Sequence, residues 1–347
     1  MKKATNSLFI ISFIFNLLLL IVTSLICQSD VFNSVYLNLL NPAAIPLLLL
    51  NFLAIIIFIL FRSKLVFINI LTIIINFQLI PTFLQWREDV DLSNENNLLC
   101  LQTYNVHQFK YGKFENTKDQ ILYLAKKNKV DILCIQEYTN REEYIKYDST
   151  YPYVVYSNPS GKNGVAIFSR FPIINHKALA VRETAANAVY ADIKINKDTI
   201  RVISVHHQTT GISSNRRIIE SIKNSGIISP EKGASIGKLS KILIENNQIR
   251  SKEVDLICEK IKQTPYPLIL CGDFNEVPQT RSYKKYSNIL NDAFISAGRG
   301  FAYSLGYPLG LIRIDYIFHC DEITPREFFY EARPSSDHNP AYFRFNL

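Results

Sequence analysis

Apolar positions are spread so unevenly along this chain that it divides into two regimes near residue 96. Residues 7–27, 43–61 and 65–84 are uncharged runs dominated by Leu, Ile and Phe. Each is close to the length of about 20 residues that a helix needs to cross a bilayer, so the pattern predicts three membrane spans within an anchor of residues 1–96. A cleaved leader is the alternative for the first run. Its apolar core is longer than the ~7–15 residues usual in a leader, and two further runs follow it.

From residue 97 onward the period shortens and alternates. Leu98 to Val106, Asp131 to Gln136, Tyr153 to Tyr156, Gly164 to Ser169, Ala188 to Ile195 and Thr199 to Val205 read as strands separated by turn residues. Thr117 to Lys129 reads as an amphipathic helix with Ile121, Leu122, Leu124 and Ala125 inward. Residues 208–236 are polar, show no clear core face and are long for a loop. They fit a functional lid, a disordered insertion or an unrecognised helix. Lys238 to Lys262 predicts a helix, and strands follow at 267–271, Ile312 to His319 and Ala341 to Phe345. Many strands with few helices between them argue against a doubly wound parallel sheet. Two facing sheets with helices outside fit better, and residues 97–347 can fill that core. No repeat or low-complexity tract interrupts the pattern.

Charge fixes an expected orientation. Lys2 and Lys3 precede the first run, Arg62 and Lys64 sit between the second and third, and the first loop carries only Asp30. Positive flanks stay cytoplasmic, which places the N-terminus inside and everything after about residue 86 outside. The chain is thus expected to be an integral membrane protein that contacts the bilayer through residues 7–84, with an extracytoplasmic domain. Acidic and basic residues balance within 1–96, so the net charge of +8 belongs to the remainder. Such a domain suits a polyanionic or anionic-lipid partner, or carries an ordinary solvated surface. No segment points to a protein partner. Cys100, Cys134, Cys258, Cys271 and Cys320 lack framework spacing and read as buried thiols, a feature that weighs somewhat against export.

Candidate chemistry gathers at strand ends. Leu268 to Cys271 is an apolar run that stops in Gly272-Asp273-Phe274-Asn275, where the glycine permits a sharp turn and Asp273 and Asn275 could face one site. Two other strands end in Gln136-Glu137 and Ser204-Val205-His206. Strand alternation lets only one of His206 and His207 enter a common site. Thr103-Tyr104-Asn105-Val106, Val181-Arg182-Glu183, Arg313-Ile314-Asp315-Tyr316-Ile317 and Ser336-Asp337-His338 complete the set.

These blocks, in this order over nearly all of residues 98–347, resemble the endonuclease/exonuclease/phosphatase superfamily related to deoxyribonuclease I. The resemblance implies a four-layer α-β-β-α sandwich with its site at one edge of the sheets. It implies metal-near roles for Asn105, Glu137 and Asp337, with Mg²⁺ as the cofactor and Mn²⁺ as a substitute. It makes His206 a donor to the scissile phosphate, with Glu183 as that ring's carboxylate partner. Asp273 would orient or deprotonate the attacking water, Asn275 would bind the phosphate, and Asp315 would buttress His338. Whether Asp273 or His338 is the formal base stays open, as does the choice between one metal and two. The implied activity is hydrolysis of a phosphodiester in nucleic acid or a phospholipid headgroup. The alternatives are a phosphomonoesterase for inositol-type phosphates and a catalytically idle, membrane-bound binding module.

Overall fold

The computed structural model describes residues 2–28, 35–92, 95, 97–109, 117–139, 149–158, 164–180, 187–211, 215–225, 229–305, 312–332 and 336–347. The N-terminal region is helical. Helix α1 spans Lys2–Cys27, a short α2 spans Val35–Leu40, α3 spans Ala44–Leu60 and α4 spans Val66–Ile75. Two stretches, Ile10–Cys27 and Asn41–Leu60, are long and apolar enough to span a membrane. The third expected span does not form as one helix. α4 covers only 10 residues and gives way to a 3-10 turn over Phe77–Thr82 that contains Pro81. Proline offers no N–H and its ring crowds the carbonyl four residues back, so an α-helix could not run unbroken from 65 to 84.

The rest is a sandwich of two six-stranded sheets. One has the order β13(Thr324–Tyr330), β14(Ala341–Asn346), β2(Leu99–Asn105), β3(Ile132–Tyr138), β5(Gly164–Ser169), β4(Tyr153–Tyr156). The other has the order β10(Asn291–Asp292), β12(Asp315–His319), β9(Leu268–Asp273), β8(Asp198–His206), β7(Ala188–Ile195), β6(Ile173–Leu179). Each sheet is antiparallel except for one central parallel pair, β2 with β3 and β8 with β9. The carboxyl ends of both parallel pairs lie at the same edge, which becomes the site. A small ribbon, β1(Leu84–Gln85) with β11(Gly300–Phe301), joins the helical region to the sandwich.

Alternation along the strands builds the layers. Leu101, Ile132 and Cys134 of one sheet meet Val202, Ile269 and Cys271 of the other in the central core. On the outer face of the first sheet, Leu133, Ile135 and Tyr104 are covered by α5(Thr117–Lys127) through Ile121 and Ala125. On the outer face of the second, Ile203 and Leu270 are covered by α7(Pro230–Lys262) through Val254 and Ile257, and by Tyr283 and Tyr286 of α8(Arg281–Ser287). This is the four-layer arrangement expected.

The strands at the two outer margins, β6 and β13, escaped the sequence pattern for a physical reason. β6 is exposed over most of its length, and β13 carries Pro325 as its second residue, followed by a register shift. Edge strands tolerate polar residues and proline because one side needs no ladder partner. Residues 208–236 hold helices that the pattern did not reveal, α6(Arg216–Asn224) and the first turns of α7. α7 begins at Pro230, eight residues ahead of its expected start, with the Ser229 side chain accepting from the Lys232 N–H.

The helical region meets the sandwich beside the edge at which both parallel pairs end. Arg313, two residues before β12, is 1% exposed and donates to the Thr82 carbonyl at 2.9 Å while forming a bidentate pair with Asp292 at 2.6 and 2.8 Å. Ala302 N–H donates to the Phe83 carbonyl. Thr82 and Phe83 share a cleft with Val277, Pro278 and Arg313. The opposite edge of the sandwich, marked by Leu98, Asp131, Asp198 and Leu347, surrounds a separate open groove.

Candidate active site

The inward faces of the strands change character toward one edge. Below lies the apolar core. Above it sits a polar layer, in which the Gln136 amide donates to Thr103 Oγ1 and across the sheets to Ser204 Oγ, both at 3.0 Å. One further inward position along each strand stand Asn105, His206, Asp273 and Asp315. The register makes this a shared row: His206 pairs with Asp273, and Asp273 with Asp315.

Asn105 Nδ2 donates to Asp273 Oδ2 at 2.9 Å and to Glu137 Oε1 at 3.2 Å. His206 Nε2 lies 3.7 Å from the same Asp273 oxygen and 3.9 Å from Glu137 Oε1. His338 Nε2 lies 3.8 Å from that Asp273 oxygen, while its Nδ1 meets Asp315 Oδ2 at 2.8 Å. Five side chains from five strands or strand-flanking turns therefore converge on the 1%-exposed Asp273.

Two backbone features make the convergence work. Glu137 should face outward by simple alternation, but its φ of 54° and a register shift between Ile135 and Tyr138 turn it toward the site. Gly272 has φ 138°, and a Cβ there would lie 2.0 Å from the Val205 carbonyl oxygen. The glycine thus serves close approach of β9 to β8 inside the strand, rather than the turn after it that the sequence suggested. Asn275, with φ 52°, donates its side-chain amide to the His207 carbonyl at 2.9 Å and its N–H to Asp273 Oδ1 at 2.8 Å. It braces the site and keeps one amide hydrogen for another acceptor.

Alternation separates the two histidines. His206 points inward. His207 points outward, is 2% exposed, and is held between Tyr286 Oη at 2.9 Å and Glu253 Oε2 at 3.3 Å. Asp337 stands at the rim, where its carboxylate meets His107 Nδ1 at 3.3 Å and accepts from Ser336 Oγ. Glu183 falls outside the described residues.

Sequence reasoning missed several members. His107 follows Asn105 by two residues and donates its N–H to Asn105 Oδ1. The i, i+2 spacing that linked Asp273 with Asn275 would have flagged it. Ser304 Oγ accepts from the N–H groups of Ile314 and Asp315, and Ser336 Oγ donates to the Asn105 carbonyl. No local pattern marks Ser304; Ser336 stands in the Ser336-Asp337-His338 block, but its bond to a carbonyl 231 residues away is not written there.

Charge in the pocket is unusual. Burial alone would strip the proton from His338, but the Asp315 and Asp273 carboxylates outweigh it and push its pKa up to about 10. Burial raises Asp315 to about 6 against the pull of His338. The pair is therefore an imidazolium facing a carboxylate at neutral pH. Asp273, Asp315 and His338 offer ligand atoms within 4.8 Å of one another. Asp315 and His338 already satisfy each other, so the oxygens left to face a cation are those of Glu137 and Asp273. Two hard carboxylates beside one amide, with His206 Nε2 buried and without a hydrogen-bond partner among the described residues, fit a small divalent ion that keeps several waters and an anionic ligand next to it.

A two-sheet sandwich carrying an acid–imidazole cluster at the ends of both parallel pairs defines a phosphoesterase of the deoxyribonuclease I-like class. Residues 103–338 match the Endonuclease/Exonuclease/phosphatase family, and the chain belongs to that family. Among solved structures it resembles a 3′ phosphatase from Neisseria bound to a product DNA hairpin, with a TM-score of 0.54, 16% identity, and coverage of 72% of this chain and 100% of that one. An endonuclease/exonuclease/phosphatase from Bacteroides vulgatus gives 0.53 and 17%, covering 73% and 100%. An AP endonuclease from Archaeoglobus fulgidus gives 0.50 and 20%, covering 72% and 100%. At these identities the likeness establishes the fold alone. No curated protein sequence matches the chain.

Proposed function

We propose that this protein is a membrane-anchored, divalent-metal-dependent hydrolase of phosphodiesters. The observation that carries the reading is the meeting of Glu137, His206 and His338 around Asp273, with the buried His206 Nε2 unbonded among the described residues. Glu137 and Asp273, with Asn105 beside them and Asp337 at the rim, would hold Mg²⁺ or Mn²⁺, which when bound neutralises charge on the phosphoryl oxygens. His206 donates a hydrogen bond to the scissile phosphate. His338, kept charged by Asp315, stabilises the charge that develops there in the transition state. A charged ring cannot accept the water's proton, so Asp273 takes it. Asn275 holds the Asp273 loop and offers its remaining amide hydrogen to the phosphate.

The outer surfaces of the helical region support a bilayer anchor. Ile11, Phe15, Ile56 and Phe67 are exposed, while Asn16, Asn51 and Asn69 are buried between the helices. That order inverts a water-soluble bundle and suits lipid. Trp86, 80% exposed just past the last apolar segment, suits a headgroup zone. On this reading residues 1–96 form the anchor and 97–347 the catalytic domain, with the N-terminus cytoplasmic and the domain outside. The Neisseria relative with its DNA hairpin supports nucleic acid as a substrate. The junction of the anchor with the catalytic edge favours a phosphodiester in a lipid headgroup instead.

The test uses the full chain in detergent or nanodiscs with bis-p-nitrophenyl phosphate. Hydrolysis should require Mg²⁺ or Mn²⁺ and vanish at sub-millimolar metal in Glu137→Gln, with unchanged thermal unfolding. A folded, metal-loaded wild type that is inert would instead support a binding module. Parallel arms with single-stranded DNA, phospholipid vesicles and an inositol phosphate identify the substrate class.

A further inference from the structure

The hairpin of α6 and α7 is too large to be explained by the core it serves. Only the C-terminal half of α7 packs on the sandwich: its buried residues are Leu243, Arg250, Glu253, Val254, Ile257 and Ile261. None of residues 230–242 is buried, and α6 has no buried residue either. The two helices hold each other, with Ser221 Oγ 3.0 Å from Ser235 Oγ.

The direction of this arm follows from its contacts. Val254 and Ile257 lie on the outer face of β8 and β9. At the level of the catalytic edge, Glu253 Oε2 accepts from the Gln208 N–H, and Arg250 pairs with Glu276 at 2.7 Å while donating to the Gln208 carbonyl. α7 ends where β9 begins, at the far edge, so it runs antiparallel to β9. Residues 230–242, a stretch about 20 Å long at 1.5 Å per residue, therefore lie beyond the catalytic edge. That is the side on which the anchor emerges. Asn38, in the short α2 between the two long apolar helices, lines a cleft with Asn247 and Ser251 of α7.

The arm's surface is basic and amphipathic. Residues 216–241 carry Arg216, Arg217, Lys223, Lys232, Lys238 and Lys241 against Glu220 and Glu231, and Lys241 also lies 4.0 Å from Glu245 one turn on. Ile218, Ile219 and Ile222 are half-buried, and Ile236 is 47% exposed. A helix pair in which α6 sets Arg216, Arg217 and Lys223 apart from Ile218, Ile219 and Ile222, and α7 adds Lys232, Lys238 and Lys241 with an exposed Ile236, projects toward an anchor's outer end and has the makeup of an interfacial element.

We infer that the α6–α7 arm is a second membrane contact, which lies on anionic lipid headgroups and, together with the anchor, holds the catalytic edge at the bilayer surface. The inference rests on the membrane-anchored reading above and names the surface that the site faces. Because Arg250 and Glu253 clamp residues 208 and 276, which flank His206 and Asp273, seating of the arm reaches the site through α7 itself.

Hydrogen exchange on the full chain in nanodiscs tests this without any need for turnover. Discs of phosphatidylcholine alone are compared with discs in which about one-third of the lipid is phosphatidylglycerol, enough to set a negative surface potential. Amides of 216–242 should exchange at least about tenfold more slowly on the anionic discs, and this protection should fall at high salt. The triple variant Lys232→Glu, Lys238→Glu, Lys241→Glu should lose it while β9 keeps its protection. Equal exchange on both discs overturns the inference. So does protection that appears on neutral discs only when a single-stranded DNA oligonucleotide is added, because the arm would then bind nucleic acid. Retention on vesicles after a carbonate wash reports the anchor separately. A retained protein with an unprotected arm rejects the arm alone, and a washed-off protein rejects both.

Discussion

The two regions of this molecule solve opposite problems with similar residues. In the sandwich, Leu, Ile and Val fill the space between sheets, and the buried polar layer of Thr103, Gln136 and Ser204 marks where the core gives way to chemistry. In the helical region the large apolar side chains face outward. A small apolar cluster that includes Ile26, Ile45, Leu48 and Leu79 is buried there, and beside it lie buried polar pairs: Asn69 Nδ2 donates to Asn16 Oδ1 at 2.9 Å, Asn51 Nδ2 to Thr23 Oγ1 at 3.2 Å, and Asn76 Nδ2 to Ser24 Oγ at 3.1 Å. A buried polar group therefore means different things in each. In the sandwich it is a cost borne for a site, and between the helices it is the adhesive, because lipid gives no reward for bringing one leucine to another.

Arg313 links the regions and should give the largest loss. Its guanidinium and Asp292 are both about 1% exposed, and it also reaches Thr82 and Tyr330. Arg313→Met leaves a buried carboxylate unpaired, which costs about 3–5 kcal/mol. Chemical unfolding should show that loss in the sandwich transition. A variant as stable as the wild type would mean that the anchor and sandwich are not joined through this residue.

The paired histidines give the next effect and separate chemistry from support within one dipeptide. His206→Ala should lower kcat at least about a hundredfold, or roughly 2.7 kcal/mol, with little change in unfolding. His207→Ala leaves Tyr286 and Glu253 without their partner, so it should cost about 1–3 kcal/mol of stability while the folded fraction stays active. A reversal of the two phenotypes would place the strand register one residue off.

The pH profile follows from His338. Its pKa is raised from 6.5 to about 10, so the folded state holds the proton more tightly than the unfolded chain. The stabilisation is full below about pH 6.5 and is lost as pH rises through about 10. The difference in melting temperature between the wild type and His338→Gln should therefore shrink between pH 7 and pH 10.5 or so. A constant difference would show that the ring is neutral throughout.

How much of this could be read from the sequence depended on whether the signal was local. Glu137, His206 and Asp273 close apolar strands, and a strand's end is written in its own residues. Asp315 and His338 were placed by motif order, while their contact at 2.8 Å depends on β12 and β14 lying in different sheets. Ser304 acts on groups 10 and 11 residues away in sequence, so nothing near it announces a role, while His107 and Ser336 stand beside marked residues and were passed over in favour of those neighbours. The third apolar run misled because composition alone does not register what Pro81 does to a helix. The α6–α7 hairpin was hidden because α6 spans only 9 residues and residues 230–242 bury none of their side chains, so neither writes an apolar stripe long enough to stand out from a loop.

The smallest predicted effect tests the comparison most directly. Replacing both members of a buried hydrogen bond by apolar residues of similar shape is close to neutral, or stabilising, in a protein core surrounded by water. Between helices in lipid the same exchange removes an attraction and adds none, since leucine packs as well against acyl chains as against another helix. Asn16→Leu combined with Asn69→Leu should therefore weaken the helical region by about 0.6–1.7 kcal/mol, the range found for interhelical hydrogen bonds in bilayers. The measurement is unfolding of the full chain in bicelles, with the sandwich transition as internal control. Because both asparagines also reach carbonyls one turn back in their own helices, at Ser12 and Leu65, neither single change isolates the pair, and a double-mutant cycle is needed to extract it. A double variant more stable than the wild type would mean that α1 and α4 are pressed together by water. The outward Ile and Phe side chains would then need a protein partner in place of a membrane.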